Sequence, residues 1–290
     1  MKKYLIIASI AAAHLAMATV AVACPLRSGL VDFNCDGIQK IAFVGDSFVQ
    51  GVGDTSMPDG GYFARVAANY PDATVVRYAV PGVTASKLFS TLKRKVPQMA
   101  SGPAENNLIG SDILVIDVGR NDFYDTNNPP ATVGTIKRIV KYLNSELAAR
   151  NGGIPPVIVV ASLLPTKRLV QRYFITYTND LMIEQKSAAL PLYVRLDKLS
   201  KDYVSKDGLH PSSAGYDKIA AKMQSYFEHK GTSRALALRP DSDGDGAYDI
   251  FESSSYGTSS TVADSDADGT SDGDEIFVYE TDPNDAGSHP

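Results

Sequence analysis

Beyond Lys40 the chain alternates short, nearly continuous apolar runs with longer stretches in which apolar residues recur every three to four positions. The runs Ile41 to Gly45, Thr74 to Ala79, Ile113 to Val118, Val157 to Ala161 and Leu192 to Leu196 read as strands buried on both faces, as in a parallel sheet. Between them, Tyr62 to Tyr70, Ala85 to Met99, Thr132 to Arg150, Tyr173 to Ser187 and Ser213 to Glu228 read as helices with one face on that sheet. Strand and helix in turn predict right-handed crossovers and a three-layer α/β/α domain. In such sheets, binding and catalysis gather where the carboxyl ends of strands pass into loops.

Three of those junctions carry unusual residues: Gly45-Asp46-Ser47-Phe48, Val80-Pro81-Gly82-Val83 and Gly119-Arg120-Asn121-Asp122, while Asp207-Gly208-Leu209-His210-Pro211 precedes the last helix. A serine hydroxyl is a weak nucleophile at neutral pH and needs a base to take its proton. Histidine fills that role because its ordinary pKa is near neutrality. Of the four histidines, His14 falls in the apolar N-terminal run, His229 beside a helix end and His289 at the C-terminus, which leaves His210. Asp207 lies three residues earlier in a glycine-containing loop, where its carboxylate can fold back and fix the imidazole tautomer. Each residue also has an ordinary reading: a surface histidine, a solvated loop aspartate, turn glycine and asparagine. The joint order of the four blocks outweighs those readings.

That order resembles the SGNH/GDSL hydrolase family over about residues 40 to 228, whose blocks supply serine, glycine, asparagine and histidine in turn. The resemblance implies a flavodoxin-like SGNH hydrolase fold and a catalytic triad of Ser47, His210 and Asp207. It also implies an oxyanion hole of the Ser47 and Gly82 backbone N–H groups and the Asn121 side-chain amide. Asp46 and Asp122 read as loop-organising carboxylates. One departure stands out: the second block of the family carries an asparagine just ahead of its glycine, where this chain has Val80 and Pro81.

The last fifty residues differ in kind. Residues 241–290 hold 14 of the 33 acidic residues and no Lys or Arg. Asp241, Asp243, Asp245, Gly246, Asp249 and Glu252 occupy positions 1, 3, 5, 6, 9 and 12 of a calcium-loop template, with Ala247 at the position that offers a backbone carbonyl. Asp264, Asp266, Asp268, Gly269, Thr270, Asp272 and Glu275 repeat the register 23 residues on (264 minus 241). Alternate aspartates on a tight loop gather the oxygens a hard cation needs, and the segment resembles thrombospondin type 3 repeats. Structural calcium is therefore expected here, with no cofactor for the chemistry. Asp32, Asn34, Asp36 and Gly37 form only a half-match, since position 12 falls on Phe43 inside the first strand.

The N-terminus reads as an export signal: Met1-Lys2-Lys3, an apolar run to Val22, and Ala21-Val22-Ala23 as a cleavage site. Cys24 and Cys35 then fall in one short loop, consistent with a disulfide in an oxidising compartment; lipidation of Cys24 is the rival. The expected organisation is a signal peptide at 1–23, a disulfide-closed loop at 24–39, the hydrolase domain at 40–230, a linker at 231–240 and calcium-binding repeats at 241–290. Secretion to the periplasm, cell surface or medium follows, with no transmembrane segment after cleavage. Without an aromatic-interleaved basic cluster, nucleic-acid binding is not indicated.

The function expected is hydrolysis of carboxylic esters through an acyl-serine intermediate by a monomer. With no tryptophan for sugar stacking and no long apolar lid insertion, short acyl esters are favoured, on a small molecule or a polysaccharide. Two alternatives stay open: acyl transfer to a sugar by the same triad, and an inactive calcium-stabilised surface protein.

Overall fold

The structure, a computed structural model, describes residues 32, 34, 36–56, 60–101, 106–227, 242–245, 247, 249, 252, 256–279 and 281–288. The expected export signal, the expected Cys24–Cys35 disulfide and the expected linker lie outside them, as do Asp241 and Gly246.

Five strands, β1 (Lys40–Gly45), β2 (Thr74–Ala79), β3 (Ile113–Asp117), β4 (Val157–Ala161) and β5 (Leu192–Val194), form one sheet in the order β2-β1-β3-β4-β5. Every pairing is parallel. This is the flavodoxin-like order, whose topological switch point lies between β1 and β3. Strands β1, β3 and β4 read as nearly unbroken apolar runs because both faces are covered, whereas β2, expected to be buried on both faces, lies at the sheet edge with only Val76 buried and carries Arg77. Ile41, Phe43, Ile113, Val115, Val157 and Val159 pack with α2 (Gly61–Asn69) and α6 (Ser213–Phe227). The alternate residues Ala42, Val44, Leu114, Ile116, Ile158 and Val160 pack with α3 (Ala85–Lys95), α4 (Pro129–Ala148) and the end of α5 (Leu169–Glu184).

The expected helices differ at their ends. The stretch from Ala85 to Met99 breaks at Lys95, and a tighter 3-10 turn, Val96–Ser101, carries it on with Pro97 inside. Helix α5 starts at Leu169, four residues before the periodicity predicts, because its buried face includes the polar Gln171, Thr178 and Asn179 while Leu169 and Val170 face outward. A short helix, α1 (Ser47–Gln50), follows β1 directly.

At the switch point the strands lie too close for any side chain at position 45: a Cβ on Gly45 would stand 2.1 Å from the Asp117 carbonyl oxygen. The glycine lets β1 and β3 end in register, Gly45 opposite Asp117, which brings the loops after both strands together.

Candidate active site

Ser47 is the first residue of α1, where a backbone N–H has no intrahelical partner. Asp46 caps this helix, its Oδ1 accepting from the Phe48 N–H at 3.0 Å. Ser47 is buried but for its edge, and its Oγ lies 2.9 Å from His210 Nε2. His210 Nδ1 lies 2.5 Å from Asp207 Oδ2. The imidazole is seated between the Phe48 ring, 5.7 Å between centroids, and the backbone of Gly53, where a Cβ would come within 3.1 Å of His210 Cβ.

The loop from Ser205 to His210 closes on itself through the Ser205 N–H donating to the His210 carbonyl at 2.8 Å. Gly208 turns it with φ near +80°. Asp207 Oδ1 accepts from the N–H groups of Leu209 and His210 and from the Ser205 hydroxyl. Partial burial opposes ionisation of Asp207, but the hydrogen bonds from His210, from those two amides and from Ser205 prevail and hold its carboxyl well below the usual carboxylate range. An ionised Asp207 only accepts, so Nδ1 carries the imidazole hydrogen and Nε2 is left to accept from Ser47.

Gly82 stands in the left-handed region with φ +74°, and a Cβ there would meet nothing within 4 Å. Its glycine is thus a matter of backbone conformation rather than of crowding within the chain. Val80 and Pro81 make the turn without a side-chain amide, the Val83 N–H donating to the Val80 carbonyl at 3.1 Å. Asn121 lies in the 3-10 turn Arg120–Tyr124 after β3 and is nearly buried. Its Nδ2 donates to the Val83 carbonyl at 3.0 Å and sits 3.4 Å from Asp46 Oδ2, so this amide also ties the second and third blocks together. Asp122 has the loop-organising place its sequence context suggests: Oδ2 accepts from the Ala85 N–H at 2.9 Å, at the start of α3.

Sequence reasoning missed Arg120. Its guanidinium is fully buried, 3.5 Å above the Phe48 ring, paired with Asp46 Oδ1 at 2.5 Å and with Asp117 Oδ1. Tyr62 from α2 donates to the other oxygen of Asp117 at 3.1 Å. Two buried carboxylates thus share one cation beneath Ser47. Burial, then the Asp117 charge, raise the Asp46 carboxyl to about 6 against the pull of Arg120. Nothing in a single arginine after a strand announces this burial, although a charged Asp117 ending an apolar strand was a signal that a partner must lie nearby.

In the acidic segment, Asp243, Asp245 and Glu252 offer carboxylate oxygens within 4.8 Å of one another, and so do Asp264, Asp266 and Asp268. Glu252 is fully buried and neither of its carboxylate oxygens has a hydrogen-bond partner. Both oxygens of Asp243 and one each of Asp264, Asp266, Asp268 and Glu275 are orphaned in the same way. Such a set fits a hard cation, since buried charge without a counter-charge is costly. The position-nine residues have other partners: Asp249 accepts from the Ser242 N–H and hydroxyl, and Asp272 accepts from Ser265 alike, each at 2.7 or 2.8 Å. Glu275 Oε1 accepts from Thr281. Ala247 and Thr270 donate their N–H groups to Asp245 and Asp268, tightening the loops. In the half-matching loop the N–H groups of Asp36 and Ile38 close Asx turns on Asn34 and Asp36, and the Gly37 N–H donates across the loop to Asp32.

Residues 43–218 match the GDSL-like lipase/acylhydrolase family. A search of curated proteins finds no match. Solved structures similar to the chain include the psychrotrophic esterase EstA from Pseudoalteromonas sp., 15% identical over 64% of this chain and 94% of that one with a TM-score of 0.46. A G-D-S-L lipolytic protein from Veillonella parvula is 16% identical over 65% and 98%, TM-score 0.48. A lipase/acylhydrolase from Enterococcus faecalis is 20% identical over 64% and 93%, TM-score 0.47.

Proposed function

The chain belongs to the GDSL-like lipase/acylhydrolase family, an ester-bond hydrolase family, and from that premise we propose that it is an exported serine esterase working through an acyl-serine intermediate on short acyl esters. The observation that carries this reading is the continuous hydrogen-bonded chain from Ser47 Oγ through His210 to Asp207.

Ser47 Oγ attacks the ester carbonyl carbon while its proton passes to His210 Nε2. Ionised Asp207 stabilises the imidazolium through Nδ1. The negative charge that builds on the carbonyl oxygen meets the N–H groups of Ser47 and Gly82 and the Asn121 amide, which requires Asn121 to turn one hydrogen away from its neighbours in the first loops. The C–O bond then breaks, the alcohol leaving with the proton from His210. Water, deprotonated by the same nitrogen, hydrolyses the acyl-serine and regenerates the free hydroxyl. Short acyl groups are favoured because the sequence carries no lid insertion to sheath a long chain. An alcohol in place of water gives acyl transfer by the same steps, and acyl-exchange products in excess alcohol would reveal it.

Divalent calcium held by the acidic repeats has a structural part in this reading, through Asp243, Asp245 and Glu252 in the first loop and Asp264, Asp266 and Asp268 in the second. It supplies charge neutralisation and takes no part in the ester chemistry.

The test is labelling by a fluorophosphonate probe. The wild-type protein is expected to react at Ser47, and Ser47→Ala to lose both labelling and hydrolysis while keeping its circular dichroism spectrum. Hydrolysis near wild type in Ser47→Ala overturns the assignment.

A further inference from the structure

Ten large hydrophobic side chains are exposed among the described residues, and six of them stand on α5 or on the turn beside it: Ile183 near its end, and Tyr124, Leu169, Val170, Tyr173 and Tyr177 toward its start. Leu169 and Val170 are each 73% exposed and Tyr173 76%, more than any other residue of that set. On α5 the spacing of 169, 170, 173 and 177 places these side chains on one face, and the Tyr173 and Tyr177 rings are neighbours with centroids 5.8 Å apart. Scattered apolar residues are ordinary on a surface; a contiguous stripe marks an interaction site.

This stripe adjoins the catalytic loops. Arg168, the residue before α5, donates from Nε to the carbonyl of Asp207 at 3.0 Å and from Nη1 to the Tyr124 hydroxyl at 2.9 Å. Tyr124 closes the turn that begins with Arg120 and Asn121. The Lys167 N–H donates to the Gly208 carbonyl at 2.9 Å in the same loop as His210. Whatever rests on the stripe therefore lies beside the entrance to Ser47.

At the start of α5 the charge is of one sign, and the exposed Asp180 and Glu184 stand toward its other end. Lys167, Arg168 and Arg172 line this end of α5, and from Lys167 to Asn179 there is no acidic residue. The Lys167 ammonium and the Arg168 guanidinium donate to neutral oxygens, so their charge is not cancelled. Among the described residues no carboxylate forms an ion pair with any of the three. Exposed aliphatic and tyrosyl side chains with basic ones beside them at the start of the helix match a lipid interface bearing anionic headgroups: apolar atoms enter below the headgroups, tyrosines sit at their level and the cations hold the phosphates. A polysaccharide would use the tyrosines but gains little from Leu169 and Val170.

We infer that the Leu169–Val170–Tyr173 face of α5 docks the enzyme on anionic lipid surfaces and so presents ester substrates embedded there to Ser47. This deepens the esterase reading by naming the setting of its substrate. The face anchors the protein and does not sheathe the acyl chain, so it agrees with a preference for short acyl groups.

The test is co-sedimentation of full-length Ser47→Ala with vesicles of phosphatidylglycerol or of phosphatidylcholine. Because this protein turns nothing over, a failure to dock is separate from a failure to hydrolyse. Retention on phosphatidylglycerol, weaker on phosphatidylcholine and reduced by salt, is expected. Adding Leu169→Ser, Val170→Ser and Tyr173→Ser should weaken it on the order of a hundredfold. Arg172→Glu alone, which leaves the apolar face untouched and guards against misfolding of the triple variant, should weaken it about tenfold. No retention on either vesicle, undiminished retention by both variants, or retention only on an acetylated polysaccharide overturns the inference.

Discussion

Asn121 already spends its amide on the Val83 carbonyl and lies against Asp46 in the resting site, so its contribution to the reaction has to appear as a rate. Asn121→Ala is expected to lower kcat by about two to three orders of magnitude with KM little changed, as loss of one oxyanion donor does. Steady-state kinetics on a soluble ester decide it; an effect confined to KM would make Asn121 a substrate-binding residue instead. Asp207 differs from its partners in exposure, with 40% of its side chain open to solvent. Its ionised state rests on hydrogen bonds from its own loop rather than on a dry pocket.

The loops after β1 and β3 are joined by the buried group of Arg120, Asp46 and Asp117, so their packing is electrostatic as well as apolar. Arg120→Met leaves two buried carboxylates without their cation and is expected to cost about 3–5 kcal/mol. The pH dependence has a definite sign. Asp46 has a folded-state carboxyl raised to about 6, against about 3.9 for the unfolded chain. The native state therefore binds the extra proton, and stability from this group is greatest below the unfolded value and is lost as pH rises through the folded one. Removing Arg120 raises Asp46 further and strengthens that trend. The deficit of Arg120→Met against wild type, read from urea midpoints, should be larger at pH 8 than at pH 5; equal deficits would mean that the carboxylates are not buried as charges.

Across the chain as a whole, the acidic repeats are not an appendage clear of the hydrolase fold. Ala247, Tyr256 and Ile276 are buried in the same apolar cluster as Tyr226 and Phe227 of α6. The two loops also grip each other, the Gly273 N–H donating to Asp245 Oδ2 at 2.8 Å and Asn284 to the Tyr256 carbonyl at 2.9 Å. The 23-residue period persists in the hydrogen bonds: Ser259 N–H to Ser265 Oγ recurs as Asp282 N–H to Ser288 Oγ, both at 3.0 Å. Burial, then the surrounding aspartates, raise Glu252 and Glu275 to about 7 when no cation is bound. Each therefore binds its proton more tightly folded than unfolded, so metal-free order falls as pH rises from the ordinary glutamate range to about 7. Limited proteolysis with a chelator should cut residues 241–290 faster at pH 8 than at pH 5, and calcium at pH 8 should restore protection. Truncation after Arg239 should keep short-ester hydrolysis but lower the melting temperature, because it uncovers part of that cluster. A folded truncation unable to hydrolyse a small ester would refute the separation of roles.

How much of this was legible in the chain follows from what each feature depends on. The parallel sheet, its five strands and the three layers were readable because burial on both faces demands unbroken apolar runs, and that demand is local. Ser47, Gly82, Asn121, Asp207 and His210 were readable as candidates because each stands in a short motif at a strand exit or before the last helix. The repeats were readable from their period alone. The start of α5 was not, since Gln171 and Asn179 face inward and Leu169 and Val170 outward, an inversion of the usual pattern that only neighbouring surfaces decide. Nor was the site of Arg120, because an arginine can be buried wherever carboxylates from distant strands converge on it, and sequence carries no mark of that convergence. The docking face has the same cause: its residues lie apart in the chain at 124 and 169–177, and contacts such as those of Lys167 and Arg168 join it to the loops of the site. Sequence determines what each segment must bury or ligate; the folded chain alone decides which distant segments meet, because those meetings are fixed by the packing of the sheet and not by any local pattern.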